Sequence, residues 1–336
     1  MIHEAMFWKK NDNDTITCLL CPNHCTMSEG QQGICRVRGV RNGKLYALYY
    51  GCIGCGGQVD PMEKKPLYHF YPKTPVLSFG GVGCNLQCQH CQNYTLSQTW
   101  SEQMNMPINV LQIIGMANRS NCKTIAWTYN EPTISLEMYY NYSQLLKKAG
   151  FRIVWVSNGY IEKEPLEIIA PFIDAANIDI KAFRSSFYTH YTHSQLDPVL
   201  QTCIRLKAFN VHVELTYLII PTLNDSDEEI EDYLNWVKEN MGIKTPLHFS
   251  RFFPQYKMRH LPPTPAETLN HIAEKALEMG FLYVYTGNIS PNPYENTICP
   301  HCKNIIIERT GYQIHAINID QDHCCSHCKQ KVDIIC

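Results

Sequence analysis

Three closely spaced cysteines are the residues of this 336-residue chain best suited to chemistry. Cys84, Cys88 and Cys91 form a CxxxCxxC pattern in GVGCNLQCQHCQNY, directly after the apolar run VLSFG. Structural zinc usually takes four protein ligands, and most iron–sulfur clusters are also held by four cysteines. Three thiolates therefore indicate either a missing fourth ligand, for which the adjacent His90 is awkwardly placed, or an iron with an open coordination position.

A second set of cysteines lies near the end of the chain. Cys299 and Cys302 form CPHC, and Cys325 and Cys328 form CSHC, with residues 303–324 between the two pairs. Two CxxC pairs at about this interval are typical of a four-cysteine zinc site, and an auxiliary iron–sulfur cluster is the alternative. We expect zinc here, bound by a short ribbon that the metal stabilises.

A third set lies in CLLCPNHCTMSEGQQGIC and comprises Cys18, Cys21, Cys25 and Cys35. Its spacing leaves three readings open: a zinc ion, a second [4Fe-4S] cluster, or reduced thiols without a metal. The chain has 17 cysteines, no export signal and no apolar run long enough to span a membrane. We therefore expect a cytoplasmic protein whose cysteines are metal or redox ligands, not disulfides.

The elements that position these cysteines follow from the hydrophobic pattern. Apolar runs alternate with longer amphipathic windows, which predicts repeated βα units around a parallel sheet. The predicted strands are 76–80, 123–129, 151–157, 173–180, 211–219, 246–252 and 281–286. The predicted helices are 107–119, 133–149, 163–171, 195–209, 226–240 and 265–279. The chain divides into an N-terminal Cys-rich segment (1–72), a core (73–290) and a C-terminal appendage (291–336).

The cysteine loop resembles the hallmark of the radical S-adenosylmethionine (SAM) enzymes. Together with DPMEKKPLYHFYP, TYNEP and the C-terminal CPHC, it resembles the AmmeMemoRadiSam-system branch, which is similar to pyruvate formate-lyase activating enzymes. The resemblance covers nearly the whole chain. It implies an α/β fold, a partial (β/α)6 TIM-like radical SAM barrel with a zinc-ribbon-like appendage. It also implies a [4Fe-4S] cluster on Cys84, Cys88 and Cys91, with SAM on the fourth iron.

The resemblance assigns SAM contacts to segments that follow successive strands. Glu131 of TYNEP matches the acid of a Gly-Gly-Glu motif that binds the SAM ammonium, whereas Asn130 departs from its glycine. SNGY resembles a Thr-Asn-Gly turn, which places Ser157 and Asn158 near SAM. The alternative roles are structural: Glu131 as a helix-start residue and SNGY as a simple turn.

Two further segments complete the implied SAM site. NIDIK resembles an Asp-Leu-Lys motif, with Asp179 and Lys181 on one strand face and Lys181 directed at the SAM carboxylate. PLHFSRFFPQYK resembles a motif in which a histidine, here His248, approaches the SAM ribose. The alternatives are a Lys181 held by a nearby acid and a buried, hydrogen-bonded His248.

The expected function is that of a radical SAM enzyme. Such an enzyme takes an electron from a donor, cleaves SAM to a 5'-deoxyadenosyl radical and abstracts hydrogen from a substrate. The substrate here is unknown, and the activating-enzyme resemblance favours a protein. One alternative is a non-catalytic metal-binding interaction module, and another is radical SAM modification of RNA. A net charge of -2 without a polybasic run makes nucleic acid the lesser alternative.

Overall fold

The centre of the protein is built from alternating strands and helices, as the hydrophobic pattern predicts. The computed structural model describes residues 2–336. Its first strands are β1 (His3–Glu4), β2 (Trp8–Lys10), β3 (Ile16–Cys18), β4 (Thr26–Met27), β5 (Arg38–Arg41), β6 (Lys44–Ala47) and β7 (Cys52–Ile53). The next are β8 (Cys55–Pro61), β9 (Pro75–Gly80), β10 (Met106–Pro107), β11 (Thr124–Trp127), β12 (Arg152–Ser157), β13 (Ala175–Ile180), β14 (His212–Ile219), β15 (Leu247–Arg251) and β16 (Val284–Gly287). The last are β17 (Thr297–Ile298), β18 (Ile305–Thr310) and β19 (Gln313–Ile317).

The helices begin where side chains satisfy free backbone N–H groups. Asn109 and Gln112 form a capping box at the second helix, and Ser226 accepts from the Glu229 N–H at the seventh. The helices are α1 (Tyr94–Ser97), α2 (Val110–Arg119), α3 (Leu136–Lys148), α4 (Lys163–Ile169), α5 (Ser185–Phe187), α6 (Leu196–Ala208), α7 (Asp227–Asn240) and α8 (Ala266–Glu278). Within residues 2–336, none combines the length and apolarity needed to cross a membrane.

The main sheet has eight strands in the order β16-β15-β14-β13-β12-β11-β9-β8. The first seven are parallel and are connected by α2, α3, α4, α6, α7 and α8, so the six predicted βα units are present. β8 pairs antiparallel with β9, which makes the sheet mixed, and the sheet does not close into a barrel. The sequence analysis missed β8, whose glycines Gly56 and Gly57 weaken the strand signal.

The inner face of the sheet is covered by a segment of the chain itself. Successive side chains of a strand point to opposite faces, and one face packs on the helices. The opposite face packs on residues 62–70, which connect β8 to β9. This inner core consists of Met62, Leu67, Phe70, Val76, Ala126, Val154 and Ala175. The segment therefore forms a floor under the sheet. The division at residues 72 and 73 falls within the same connection and stays a prediction.

The buried carboxylate of Glu214 fastens this floor to the sheet. It accepts the backbone N–H groups of Tyr68 at 3.0 Å and His69 at 2.8 Å. The Nε2 atoms of His212 and His248 contact its oxygens at 2.9 and 2.6 Å. Burial opposes the charge, but the hydrogen bonds from the two histidines outweigh it and hold the pKa of Glu214 well below its ordinary value.

A buried ion pair joins the N-terminal strands to α3. Arg38 Nη1 donates to both carboxylate oxygens of Glu137, at 2.8 and 2.9 Å, and the two side chains are 2% and 0% exposed. Arg38 Nη2 also donates to the Met6 carbonyl at 2.6 Å. Removing one member of such a pair leaves an uncompensated charge without access to water.

We therefore predict that Glu137→Ala lowers the free energy of unfolding by about 3–5 kcal/mol, the range for a broken buried pair. Urea denaturation under anaerobic conditions measures this. The matched control is Glu167→Ala, which removes an exposed partner of Lys163 on α4 and is expected to change stability little. Equal losses in the two variants would contradict the assigned role of the buried pair.

Candidate functional site

The predicted cysteine loop follows the carboxyl end of β9, where ligands bind in sheets of this kind. Its backbone is held by the segments that follow β13 and β15. The N–H groups of Gln87 and Gln89 each donate at 2.9 Å to the carbonyls of Thr192 and Tyr191, at the end of a π-helix (Tyr188–Thr192) that follows α5. The Lys257 N–H donates to the Gln89 carbonyl at 3.0 Å. The loop therefore has a defined shape although it lacks regular secondary structure.

The side chain of Asn130 holds the start of this loop. Its Oδ1 accepts the Gly81 N–H at 2.9 Å, and its Nδ2 donates to the Gly83 carbonyl at 3.0 Å. Gly83 has φ +83°, and a Cβ at this position would collide with the Cys35 carbonyl. Asn130 was predicted as a SAM contact that departs from the glycine of the motif. The geometry explains the departure, because this amide brackets the turn that leads into Cys84.

Glu131 lies beside the loop and is almost completely buried. Its carboxylate accepts the Ser157 hydroxyl at 2.8 Å, the Asn158 N–H at 2.8 Å and the Thr133 N–H at 2.9 Å. Burial raises the pKa of Glu131, although hydrogen bonds from Thr133 and Asn158 act in the opposite direction. Three of the predicted SAM residues thus form one hydrogen-bonded unit at the ends of two neighbouring strands.

Asn85 connects this unit to the cysteines and was missed by the sequence analysis. Its Oδ1 accepts from Asn158 Nδ2 at 2.9 Å, and its own Nδ2 donates to the Tyr160 carbonyl at 2.7 Å. Asn158 Nδ2 also lies 3.8 Å from Cys84 Sγ, and the Leu86 N–H donates to the same sulfur at 3.5 Å. The only sequence signal for Asn85 is its position directly after Cys84.

Lys181 and Asp179 lie together on the other side of the loop. Lys181 Nζ is 2.7 Å from Asp179 Oδ2. This contact agrees with the expected placement of both side chains on one strand face. It also agrees with the alternative role, in which a nearby acid holds the lysine. Burial works against the charge of Lys181, but Asp179 and then Cys88 outweigh it and raise its pKa. Burial raises the pKa of Cys88 to about 12, and the Lys181 ammonium acts in the opposite direction.

His248 lies in a different environment from the other predicted SAM residues. It is the second residue of β15, is 4% exposed and contacts Glu214 through Nε2 at 2.6 Å. Its ring stacks on Tyr285 with centroids 5.2 Å apart and meets the edge of Tyr68 at 4.8 Å. The structure therefore groups His248 with the floor, and its contact with the SAM ribose stays a prediction.

The C-terminal cysteines have the geometry of a site for a single metal ion. Cys299 and Cys328 have sulfurs 3.7 Å apart, and those of Cys302 and Cys325 are 3.8 Å apart. Four sulfurs placed about 2.3 Å from a tetrahedral zinc ion lie about 3.8 Å from one another. Cys324, which directly precedes Cys325 in the sequence, is outside this set. The set is enclosed by the antiparallel sheet β17-β18-β19 and a small apolar core.

The other two cysteine sets are wider. In the part of the chain that the structure describes, the C-terminal set is the one group of three or more His, Cys, Asp or Glu whose ligand atoms all lie within 4.8 Å of one another. Cys84, Cys88 and Cys91 do not meet this limit. A four-iron cluster binds each thiolate on a separate iron, so its ligand sulfurs stand further apart than those of one zinc ion. The loop therefore fits a cluster better than a single ion.

Comparison with known proteins decides which family this site belongs to. Residues 79–237, which contain the cysteine loop, Glu131 and Lys181, match the model of the Radical SAM superfamily. The chain belongs to the radical SAM superfamily. The predicted resemblance to radical SAM enzymes is thus confirmed, the protein is an enzyme, and a non-catalytic module is set aside.

The chain is also similar to individual known proteins. The chain is 43% identical to "Uncharacterized protein MJ0808" of Methanocaldococcus jannaschii, over 99% of this chain and all of that one. It is 25% identical to the (2S)-3-sulfopropanediol dehydratase activating enzyme of Klebsiella oxytoca, over 34% of this chain and 36% of that one. Its fold is similar to that of a radical SAM methyltransferase from Sphaerobacter thermophilus, with a TM-score of 0.53 and 17% identity over 67% and 71% of the chains.

Membership of the superfamily implies a [4Fe-4S] cluster and SAM. The loop fits the cluster because it supplies three separated thiols and backbone and side-chain N–H donors to Cys84. The flanks fit SAM because the buried anion Glu131 and the cation Lys181 match the ammonium and carboxylate of an amino acid.

The Glu131 unit makes a stability prediction. Glu131→Gln keeps the size of the side chain but turns an NH2 group toward donors, so we expect the free energy of unfolding to fall by about 1–3 kcal/mol. Urea denaturation of the metal-free protein measures this without interference from ligands. The matched control is Glu162→Gln, which affects a partly exposed contact with His24 and should change stability little. An unchanged free energy of unfolding in Glu131→Gln would show that the three hydrogen bonds do not contribute to stability.

Proposed function

We propose that this enzyme cleaves SAM reductively at a [4Fe-4S] cluster on Cys84, Cys88 and Cys91 and uses the resulting radical to abstract hydrogen from a substrate. One observation carries the proposal. Three cysteines on a hydrogen-bonded loop at the carboxyl end of β9 lie between a buried carboxylate, Glu131, and a partly buried ammonium, Lys181. The three thiols leave a coordination position open, and the two charges match the ends of the SAM methionine.

The proposed reaction consumes one electron for each SAM molecule cleaved. An external low-potential donor would be oxidised by one electron, and a cluster held by Cys84, Cys88 and Cys91 would pass that electron to SAM. The carbon–sulfur bond to the 5' carbon breaks and gives methionine and a 5'-deoxyadenosyl radical. This radical takes a hydrogen atom from the substrate and becomes 5'-deoxyadenosine, while the substrate becomes a radical. The protein contributes binding, orientation and exclusion of water.

The residues take distinct parts in this proposal. Glu131 binds the SAM ammonium, and hydrogen bonds from Ser157 and Asn158 hold the Glu131 carboxylate in position. Lys181 binds the SAM carboxylate in exchange for part of its contact with Asp179. Asn130 acts on the ligand only through the loop that it holds. The predicted contact between His248 and the SAM ribose requires SAM to extend to the floor segment.

A protein is the substrate that we propose, with hydrogen taken from a backbone carbon of a partner. The support is the relative named as an activating enzyme for a dehydratase, together with the radical SAM chemistry of the superfamily. The other expected partner is a one-electron donor protein. We also propose a cytoplasmic location, because the free cysteines and an oxygen-sensitive cluster need reducing conditions.

The proposal predicts that anaerobically reconstituted protein with excess reductant forms 5'-deoxyadenosine from SAM. Replacement of Cys84, Cys88 and Cys91 by alanine should reduce this to background, because the cluster is lost. Quantitative mass spectrometry of the nucleoside measures it. The matched control is Cys203→Ala, which removes a buried thiol of α6 outside all three cysteine sets and should retain activity. Equal product from the wild type and the triple variant would refute the proposal.

We further propose that Cys299, Cys302, Cys325 and Cys328 bind one Zn²⁺ ion. The support is the 3.7 and 3.8 Å spacing of their sulfurs, which matches a tetrahedral ion. Hydrogen bonds from the Asn304 backbone and side chain lower the pKa of Cys302 to about 6, which favours the thiolate that a metal requires.

Cys302→Ala is predicted to lose this zinc ion, and plasma mass spectrometry of the purified protein measures the loss. The matched control is Cys324→Ala, which removes the sulfur next to Cys325 but outside the set. Zinc retained in Cys302→Ala, or lost from Cys324→Ala, would show that the ligand set is wrong.

A further inference from the structure

The N-terminal cysteines enclose a space instead of closing on a point. Cys18, Cys21, Cys25 and Cys35 line one cavity of about 20 Å³. A cavity above roughly 10–15 Å³ holds at least one water molecule. The space that the four thiols line is therefore large enough to admit an added group. No three of their sulfurs lie mutually within 4.8 Å, unlike the sulfurs of the C-terminal set.

One buried N–H donor at this cavity lacks an acceptor, although the charge of its side chain is compensated by Glu137. Arg38 lines the same cavity and is 2% exposed. Its two Nη atoms are used by Glu137 and the Met6 carbonyl, but its Nε has no hydrogen-bond partner. A buried N–H group without a partner costs free energy unless a ligand accepts from it. An inorganic sulfide or a thiolate sulfur bound in the cavity would be such an acceptor.

We infer that Cys18, Cys21, Cys25 and Cys35 bind a second iron–sulfur cluster of the four-iron class, not a zinc ion. Two references for this assignment lie within the same chain. The C-terminal set has the close spacing of a single tetrahedral ion. The loop set, which the superfamily assigns to a [4Fe-4S] cluster, fails the 4.8 Å limit in the same way as the N-terminal set. The Ile34 N–H donates to Cys25 Sγ at 3.5 Å, as cluster sulfurs commonly accept.

The second site lies directly against the first. Asn85, the neighbour of Cys84, lines the N-terminal cavity, and Asn23 Nδ2 donates to the Asn85 carbonyl at 2.7 Å. On the other side, Gly83 approaches the Cys35 carbonyl so closely that no side chain fits between them. The proposed cluster is thus separated from the loop by one layer of residues. The assignment rests on the cysteine geometry and does not depend on the proposed substrate.

Metal and sulfide analysis of two matched triple variants tests this inference in the full chain. One variant replaces Cys84, Cys88 and Cys91 by alanine, and the other replaces Cys18, Cys21 and Cys25. After anaerobic reconstitution we expect about eight irons per chain in the wild type and about four in each variant, because each cluster holds four. Electron paramagnetic resonance of the reduced proteins should show a cluster in both variants, and SAM should alter only the one on the loop.

Two results would overturn the inference. One is a loop variant that contains neither iron nor acid-labile sulfide. The other is a wild-type protein that contains one zinc ion more than the N-terminal variant. If the N-terminal variant does not fold, the loop variant alone decides, because it leaves the N-terminal set intact. Failure of SAM cleavage with about eight irons present would refute the proposed function but not this cluster.

Discussion

The site depends on hydrogen bonds that shape a loop without regular structure. The proposed cluster requires three thiols held apart with one coordination position open, and the loop does not achieve this through its own backbone alone. Asn130 brackets its first turn, and Asn85 and Asn158 connect Cys84 to the carboxylate of Glu131. Glu131 thus has two roles. It fixes the strand ends around the loop, and it presents a negative charge beside the cysteines.

The same sheet is supported from below by an arrangement that reaches the C-terminal lobe. The floor segment is bound on one side by Glu214 and on the other by Arg309, whose Nη2 donates to the Tyr68 carbonyl at 2.9 Å. His69 Nδ1 contacts the Asp333 carbonyl at 2.7 Å. The floor is therefore sandwiched between the sheet and the four-cysteine lobe. The proposed zinc ion would therefore stabilise the floor as well as the lobe itself.

The sequence was sufficient for the elements with strong periodicity and insufficient for contacts between distant segments. All seven parallel strands and the six connecting helices lie where the apolar pattern predicts them. Edge strand β8 was missed because two glycines interrupt it. The clustering of Glu131, Ser157 and Asn158 follows from strand order. The pairing of His248 with Glu214, and the position of Asn85, arise from side-chain packing that motif spacing does not encode.

The most direct test of the account is the electron paramagnetic resonance spectrum of the reduced protein with and without SAM. An open iron on the loop requires SAM to bind at the cluster itself, so its addition should change the spectrum of the wild type. Glu131→Gln should need more SAM for the same change. A spectrum that SAM leaves unaltered, in protein shown to carry the loop cluster, would contradict the central claim.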